Sequence, residues 1–392
     1  MCGSLQTAVA ALGGTSLALP VLLAAASVAL SLGYILWLKT HQRESACGKT
    51  MSPSEPAVDV IIPVRNEAEQ IADKLANIKA IRYPEDRLRF WIVDGNSADD
   101  TLRIASRLIR DDARFQVIEE RPNKTAQINA ALEHGTAPWV LVTDADSRMH
   151  PETLREMVAA AESDGGIGAV GTPVEPAESC HWLERAHWRI NNRVRTLESR
   201  AGCMSLLTGP CYLVRREVFG RIPEDVVADD IHAALAAARL GRRVCLVDSP
   251  VIELRTPRSL SELFGHKLRK TTAYLREIFR FLPYRREIPK PARTLFVWRA
   301  AQLVALPWLV LAALVSLFLS SSPVPAAALG LFILGGGAIA LVVSIGKRNE
   351  KQSVWTGLVL TAFLLAICLT ALVTYPLRPR SAYSPQGGAR RR

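Results

Sequence analysis

Trp139-Val-Leu-Val-Thr-Asp144-Ala-Asp146 is the stretch from which the fold of this chain can be read. Residues 140–143 are apolar and mostly β-branched, so they read as a short buried strand. Two carboxylates follow at i and i+2. In open α/β sheets, ligands gather just past the carboxyl ends of the strands. Two carboxylates placed there suit a hard divalent cation that in turn holds phosphate oxygens. The plainer reading is a surface turn, where Asp and Ser are ordinary residues.

Working outward, strand and helix patterns alternate. Residues 58–63 form an apolar strand, and 67–80 an amphipathic helix with Ile71, Leu75 and Ile78 on one face. A strand over 90–93 precedes a helix over 99–110, with Ser97 or Asp99 as candidate caps. A strand over 115–118 and a helix over 125–134, ended by Gly135, lead into the aspartate strand. This alternation specifies a mostly parallel sheet with helices on both faces. Beyond Asp146 the pattern predicts helices over 151–161, 181–200 and 230–240, and strands over 168–174, 208–215 and 244–247. The basic amphipathic stretch 260–282 is expected to lie on a membrane surface.

The two ends differ from this middle. The chain has 392 residues, 49% of them hydrophobic, and the excess lies at its termini. No Asp, Glu, Lys or Arg occurs from Met1 to Leu38, and 17–38 is long enough to span a bilayer. It exceeds a signal-peptide core and lacks a basic start, so 1–38 reads as an anchor. Residues 39–57 read as a linker. Three further apolar stretches, about 300–320, 324–345 and 354–375, predict spanning helices within 294–377, followed by a basic tail over 378–392. The polar insert divides into a domain over 58–256 and a basic interfacial segment over 257–293.

The net charge is +11, with Lys267, Arg269, Lys270, Arg276, Arg280, Arg285 and Arg286 near the membrane boundary. That bias places the insert on the cytoplasmic side. It suits anionic lipid and diphosphate substrates; no nucleic-acid module is present in the sequence. The seven cysteines form no C-x-x-C pair and read as reduced core or membrane residues.

Several polar residues at strand ends carry chemistry. Asp94 can accept a nucleobase N–H, or cap the helix that follows. Asn66 suits a ligand loop or a helix N-cap. Lys124 can neutralise diphosphate or sit solvated. Asp229 and Asp230 open a helix, where acids complement the dipole by roughly 0.3–1 kcal/mol each, or where one of them acts as a general base.

The order Val60-Ile-Ile-Pro63-Val-Arg-Asn66-Glu67, Val93-Asp94-Gly95, Asp144-Ala-Asp146 and Asp229-Asp230 resembles membrane-embedded family 2 glycosyltransferases over about residues 58–275. The similarity is greatest to the polysaccharide-synthase and ceramide-glucosyltransferase-like branches. The resemblance implies a GT-A-type α/β nucleotide-sugar-binding domain flanked by transmembrane helices. It places Pro63, Asn66, Glu67, Asp94, Lys124, Asp144, His266 and Arg269 at the nucleotide sugar, with Asp94 on uracil and Asp144 on ribose. Asn123-Lys-Thr-Ala-Gln-Ile-Asn129-Ala is similar to the family's G-K-x-x-A-x-N segment. Asp146 and Asp144 would hold Mg2+ or Mn2+. Asp230 would be the base, with Asp229 standing where the family has Glu. Gly209 and Pro210 lie in a T-G-x-x segment near the acceptor.

One motif departs from the pattern. His266-Lys-Leu-Arg269-Lys270 stands where the family has Q-x-x-R-W. Losing the Trp removes a stacking surface for sugar, which favours adding one or a few sugars over processive synthesis. The resemblance thus implies an inverting transfer from a nucleotide sugar, UDP-linked, to a hydroxyl of a membrane-associated lipid or glycan at a bacterial inner membrane. Transfer to a polyprenyl phosphate is the alternative, since a phosphate needs no base. A non-catalytic membrane scaffold is the third reading.

Overall fold

The computed structural model describes residues 18–42, 55–202, 204, 206–318 and 354–375. The chain divides into two compact units, Met1–His41 with Phe296–Val373, and Gln42–Leu295 with Thr374–Arg392.

In the first unit, α1 (Ala18–Thr40) is apolar along its whole length. Trp298 packs edge-on against Tyr34 at 5.6 Å and donates its indole N–H to the Leu30 carbonyl at 2.8 Å. Leu19, Leu22, Leu36, Trp308, Leu311 and Leu314 are exposed large apolar side chains in this unit. Two helical stretches, Leu19–Thr40 and Ala292–Leu317, are long and apolar enough to cross a membrane, and Val359–Thr374 is a shorter apolar helix. The expected span over 324–345 lies outside the described residues, as do the tail over 378–392 and most of the linker.

The second unit is built on a seven-stranded sheet. In chain order its elements begin β1 (Val58–Val64), α2 (Ile71–Lys79), β2 (Leu88–Asp94), α3 (Thr101–Ile109), β3 (Phe115–Glu119), α4 (Lys124–His134) and β4 (Trp139–Thr143). There follow β5 (Ser147–Arg148), α5 (Thr153–Glu162), β6 (Ile167–Gly171), β7 (Val174–Pro176), α6 (Trp182–Arg200), β8 (Cys211–Arg215) and α7 (Arg216–Phe219). The remainder is α8 (Asp229–Arg239), β9 (Arg243–Leu246), β10 (Val251–Glu253) and α9 (Leu260–Phe281); α10 (Ala292–Phe318) and α11 (Val354–Thr374) fall almost wholly in the first unit.

The large sheet runs β3-β2-β1-β4-β8-β6-β9. Its pairings are parallel except for the two made by β8. Strands covered on both faces need apolar residues at successive positions. Accordingly Val60, Ile62, Phe90, Ile92 and Leu141 enter one core, while Ile61, Trp91, Val93, Val140 and Val142 enter the other.

The structure corrects several expectations. Helix α2 begins at Ile71, capped by Gln70, because Asn66 takes a left-handed backbone (φ 54°) and its side chain is used elsewhere. Asn66 is therefore not the helix cap. The strand expected over 168–174 breaks at Thr172-Pro173, since proline has no N–H to continue a ladder. Its second half, β7, joins a small sheet β5-β10-β7 whose strands are too short to show a period. Cys180, Cys211 and Cys368 are free, but Cys245 is disulfide-bonded. Sequence spacing cannot reveal a pairing that the tertiary fold creates. Finally, α9 is no simple surface helix: it buries Leu263, Leu275, Ile278 and Phe281, and also Lys267 and Glu277.

Candidate functional site

Sheet order brings the strand-end residues together. β1 pairs with β2 so that Val64 faces Asp94. The loops leaving these two ends are tied by side chains. Ser97 donates its backbone N–H and hydroxyl to the Asp94 carboxylate at 2.9 and 2.5 Å. It also accepts the Asn66 N–H at 2.9 Å, while Asn66 Oδ1 accepts the Ala98 N–H at 2.8 Å. Asp99 accepts the Thr101 and Ala68 N–H groups, so it ties the loop to the first residue of α3, whose N-cap position is Asp100. Asp94 is thus buried and engaged with Ser97 in the loop, short of the helix that begins at Thr101, so it does not cap that helix. Each carboxylate oxygen keeps lone-pair capacity for a further donor.

β4 runs beside β8 in the opposite direction, with Thr143 facing Cys211. The segment entering β8 therefore lies against the turn leaving β4. Asp144 N–H donates to the Pro210 carbonyl at 3.1 Å. A Cβ on Gly209 would lie 3.7 Å from both Asp144 Oδ2 and Asp230 Oδ2, so the two carboxylates approach the same face of Gly209.

Lys124, at the first turn of α4, links the acids. Its Nζ is 2.8 Å from Asp144 Oδ1 and 3.2 Å from Asp229 Oδ2. Burial would lower its pKa, but Asp144, Asp229 and Asp230 raise it overall. Asp229 also accepts the Tyr212 hydroxyl at 2.6 Å. Asp230 accepts the Ile231 N–H at 2.9 Å. Burial and the neighbouring Asp229 push the Asp230 carboxyl up to about 6, against Lys124 and Lys270.

Asp146 faces a second group. Burial, then Asp144, Glu253 and Glu67, push it up to about 7, with Arg255 opposing. Arg255 forks onto Glu67 at 3.0 and 2.5 Å. Glu253 Oε2 is buried with no hydrogen-bond partner. Excess negative charge around Asp146 and an unpartnered carboxylate oxygen fit a divalent cation. Among the described residues no three His, Cys, Asp or Glu side chains converge on one point. A cation here would therefore need water or substrate oxygens to complete its shell, as Mg2+ usually does.

His266 lies on α9 among basic side chains. Burial and then Lys270, Lys267 and Arg269 lower its pKa, and its Nε2 is buried without a partner. Lys267 and Lys270 approach the Trp188 ring at 5.3 and 5.7 Å. Lys267 pairs with Glu184 at 2.7 Å, and Lys270 with Glu253 at 3.4 Å. Tyr212, Arg255, Glu253 and Trp188 are the residues that sequence reasoning missed. Tyr212 gave a faint signal as the hydroxyl-bearing aromatic inside an apolar strand.

Residues 59–222 match the family model described as Glycosyl transferase family 2. This segment is a family 2 glycosyltransferase domain. The domain's chain is 26% identical over 251 residues to an N-acetylglucosaminyltransferase of Bradyrhizobium diazoefficiens, covering 58% of this chain and 51% of that protein. It is 28% identical over 246 residues to one of Mesorhizobium japonicum, covering 57% of this chain and 56% of that protein. It thus spans little more than half the length of these curated relatives. A mannosyltransferase from Pyrobaculum calidifontis, solved with GDP-Man and Mn2+, aligns with a TM-score of 0.73 at 26% identity. That alignment covers 92% of this chain and 98% of the other. The glycosyltransferase domain has a GT-A-like fold, a mostly parallel sheet with helices on both faces.

Proposed function

We propose that this chain is an inverting glycosyltransferase. It moves a sugar from a nucleoside-diphosphate donor to a hydroxyl of a membrane-associated lipid or glycan. One observation carries the reading: Asp230 and Asp144 each bring a carboxylate oxygen to 3.7 Å from the Cβ position of Gly209, so a base and a donor-side acid converge where the acceptor segment passes.

Asp146 and Asp144 would hold Mg2+ or Mn2+, which would stabilise charge on the departing diphosphate. Asp94, Asn66, Pro63 and Glu67 border the nucleotide. Lys124 neutralises diphosphate charge, with Arg269 and His266 assisting from α9. Asp230 removes the acceptor O–H proton. The acceptor oxygen forms a bond to the anomeric carbon as the bond to the diphosphate oxygen breaks and its electron pair leaves with phosphate. A single displacement inverts configuration. A carboxyl poised near 6 is largely ionised at neutral pH yet basic enough to take a proton.

The apolar helices, with exposed leucines and Trp308, support a membrane location, with the catalytic domain on the cytoplasmic side. The donor is a UDP-sugar. The GDP-Man complex of the Pyrobaculum protein favours a GDP-sugar as the second reading. The test is Asp230→Asn. Transfer should fall by about 10²–10⁴-fold, while binding of Mn2+ with UDP or GDP is kept. Near-normal turnover would remove Asp230 from its role. A screen of UDP- and GDP-sugars against membrane lipids, read by mass analysis, assigns donor and acceptor, and a polyprenyl-phosphate product would replace the hydroxyl reading.

A further inference from the structure

Lys74 occupies a position where an apolar residue is expected. It lies on α2 between Ile71 and Ile78 and beside Leu75, on the face that enters the core. Its side chain is fully buried. The three ammonium protons have three acceptors: Thr143 Oγ1 at 2.7 Å, the Ser147 carbonyl at 3.0 Å and Ser147 Oγ at 3.1 Å. All three belong to the residues immediately before and after Asp144-Ala145-Asp146. Ser147 Oγ lies 2.8 Å from the Asp144 carbonyl and 2.9 Å from the Pro210 carbonyl. Thr143 Oγ1 lies 3.1 Å from the same Pro210 oxygen.

The buried ammonium therefore grips both ends of the aspartate turn, and through its partners the segment entering β8. No carboxylate lies within ion-pair distance of Lys74 Nζ among the described residues. An apolar side chain would pack this site without desolvating a charge. The fold thus bears a desolvation cost whose structural return falls on the aspartate turn.

We infer that Lys74 is a positioning residue for the divalent-cation and diphosphate subsite, presetting the Asp144–Asp146 turn through Thr143 and Ser147. This rests on the proposed reading of those aspartates. Outer groups that orient metal ligands typically cost 10–100-fold in metal affinity when removed. Electrostatics alone predicts the opposite sign: deleting a nearby cation strengthens binding of another cation. The direction of the effect therefore separates positioning from charge.

The experiment titrates Mn2+, and Mn2+ with UDP or GDP, into the full chain in detergent by calorimetry, for wild type and Lys74→Met. Methionine keeps length and volume without charge. Mn2+ affinity should weaken about tenfold or more, while the unfolding midpoint stays close to wild type, because replacing a buried charge with an apolar side chain is often neutral or stabilising. Unchanged or tighter Mn2+ binding by a folded variant overturns the inference. If Lys74→Met fails to fold, Thr143→Val with Ser147→Ala removes two of the three acceptors and leaves the lysine in place. That pair should weaken Mn2+ binding in the same direction, and unchanged binding overturns the inference equally. If wild type binds neither Mn2+ nor nucleotide, the metal reading of Asp144 and Asp146 itself fails.

Discussion

Tyr212 donates its hydroxyl to Asp229 Oδ2 at 2.6 Å, and the same oxygen lies 3.2 Å from Lys124 Nζ. Asp229 is thereby held from both sides, while its neighbour Asp230 accepts the Ile231 N–H. Two adjacent acids at one helix start thus divide their work. Asp229 anchors the helix to the sheet and to Lys124, and Asp230 is presented toward Gly209 and the acceptor segment.

Tyr212→Phe tests that division. It removes one donor from a buried carboxylate, a change worth about 1–3 kcal/mol. The unfolding midpoint should fall, and kcat should fall while KM for the donor stays near wild type. Denaturation followed by fluorescence, together with steady-state kinetics, checks both. A large rise in donor KM with unchanged kcat would place Tyr212 on the donor side instead.

The pH profile follows from Asp230. Its carboxyl is raised to about 6 by burial and Asp229. The base must be ionised, so kcat/KM should be flat above that pH and fall about tenfold per unit below it. Lys124 opposes the shift, so Lys124→Met should move the acid limb to higher pH. Measured profiles of both proteins check the sign.

Chelation checks the cation. EDTA should abolish transfer, and Mn2+ or Mg2+ should restore it. Asp146→Asn should raise the metal concentration needed for half-maximal rate, because the excess negative charge centred on Asp146 is what fits the site for a cation.

Gln127 ties the carboxyl ends of β1 and β2, which the proposed function sets beside the nucleotide. Its amide donates to the Val64 and Val93 carbonyls at 2.9 and 2.6 Å, clamping the ends of β1 and β2. Gln127→Leu removes the amide donor from both carbonyls; Val64 O keeps the Gly95 N–H, so the cost falls mainly on Val93 O, at roughly 1–3 kcal/mol for a buried unsatisfied group. The expected outcome is a lower unfolding midpoint and several-fold weaker nucleotide binding, read by calorimetry with Mn2+ present.

Most strands and helices were legible because each carries its own period. Predicted strands at 58–63, 90–93 and 115–118 and helices at 125–134 and 181–200 agree with the structure within a few residues. Failures came where structure depends on remote partners. The small sheet of β5, β7 and β10 has strands of two or three residues, too short for any pattern. Asn66 looked like a helix cap because Asn often is one, yet its side chain crosses to Ala98 in the neighbouring loop.

The sequence by itself determined the alternating sheet, the apolar helices at both ends, and the aspartates at Asp94, Asp144, Asp146 and Asp230. Those features rest on local chemistry: side-chain periodicity, length, and acids placed just after strands. What surrounds each acid comes from the tertiary structure alone. The antiparallel insertion of β8 beside β4 brings Gly209 to the carboxylates of Asp144 and Asp230. It also gives Tyr212 and Lys124 to Asp229, and it leaves Asp146 among Glu67, Glu253 and Arg255. These roles come from distances and burial between segments far apart in the chain, and spacing along the chain does not encode them.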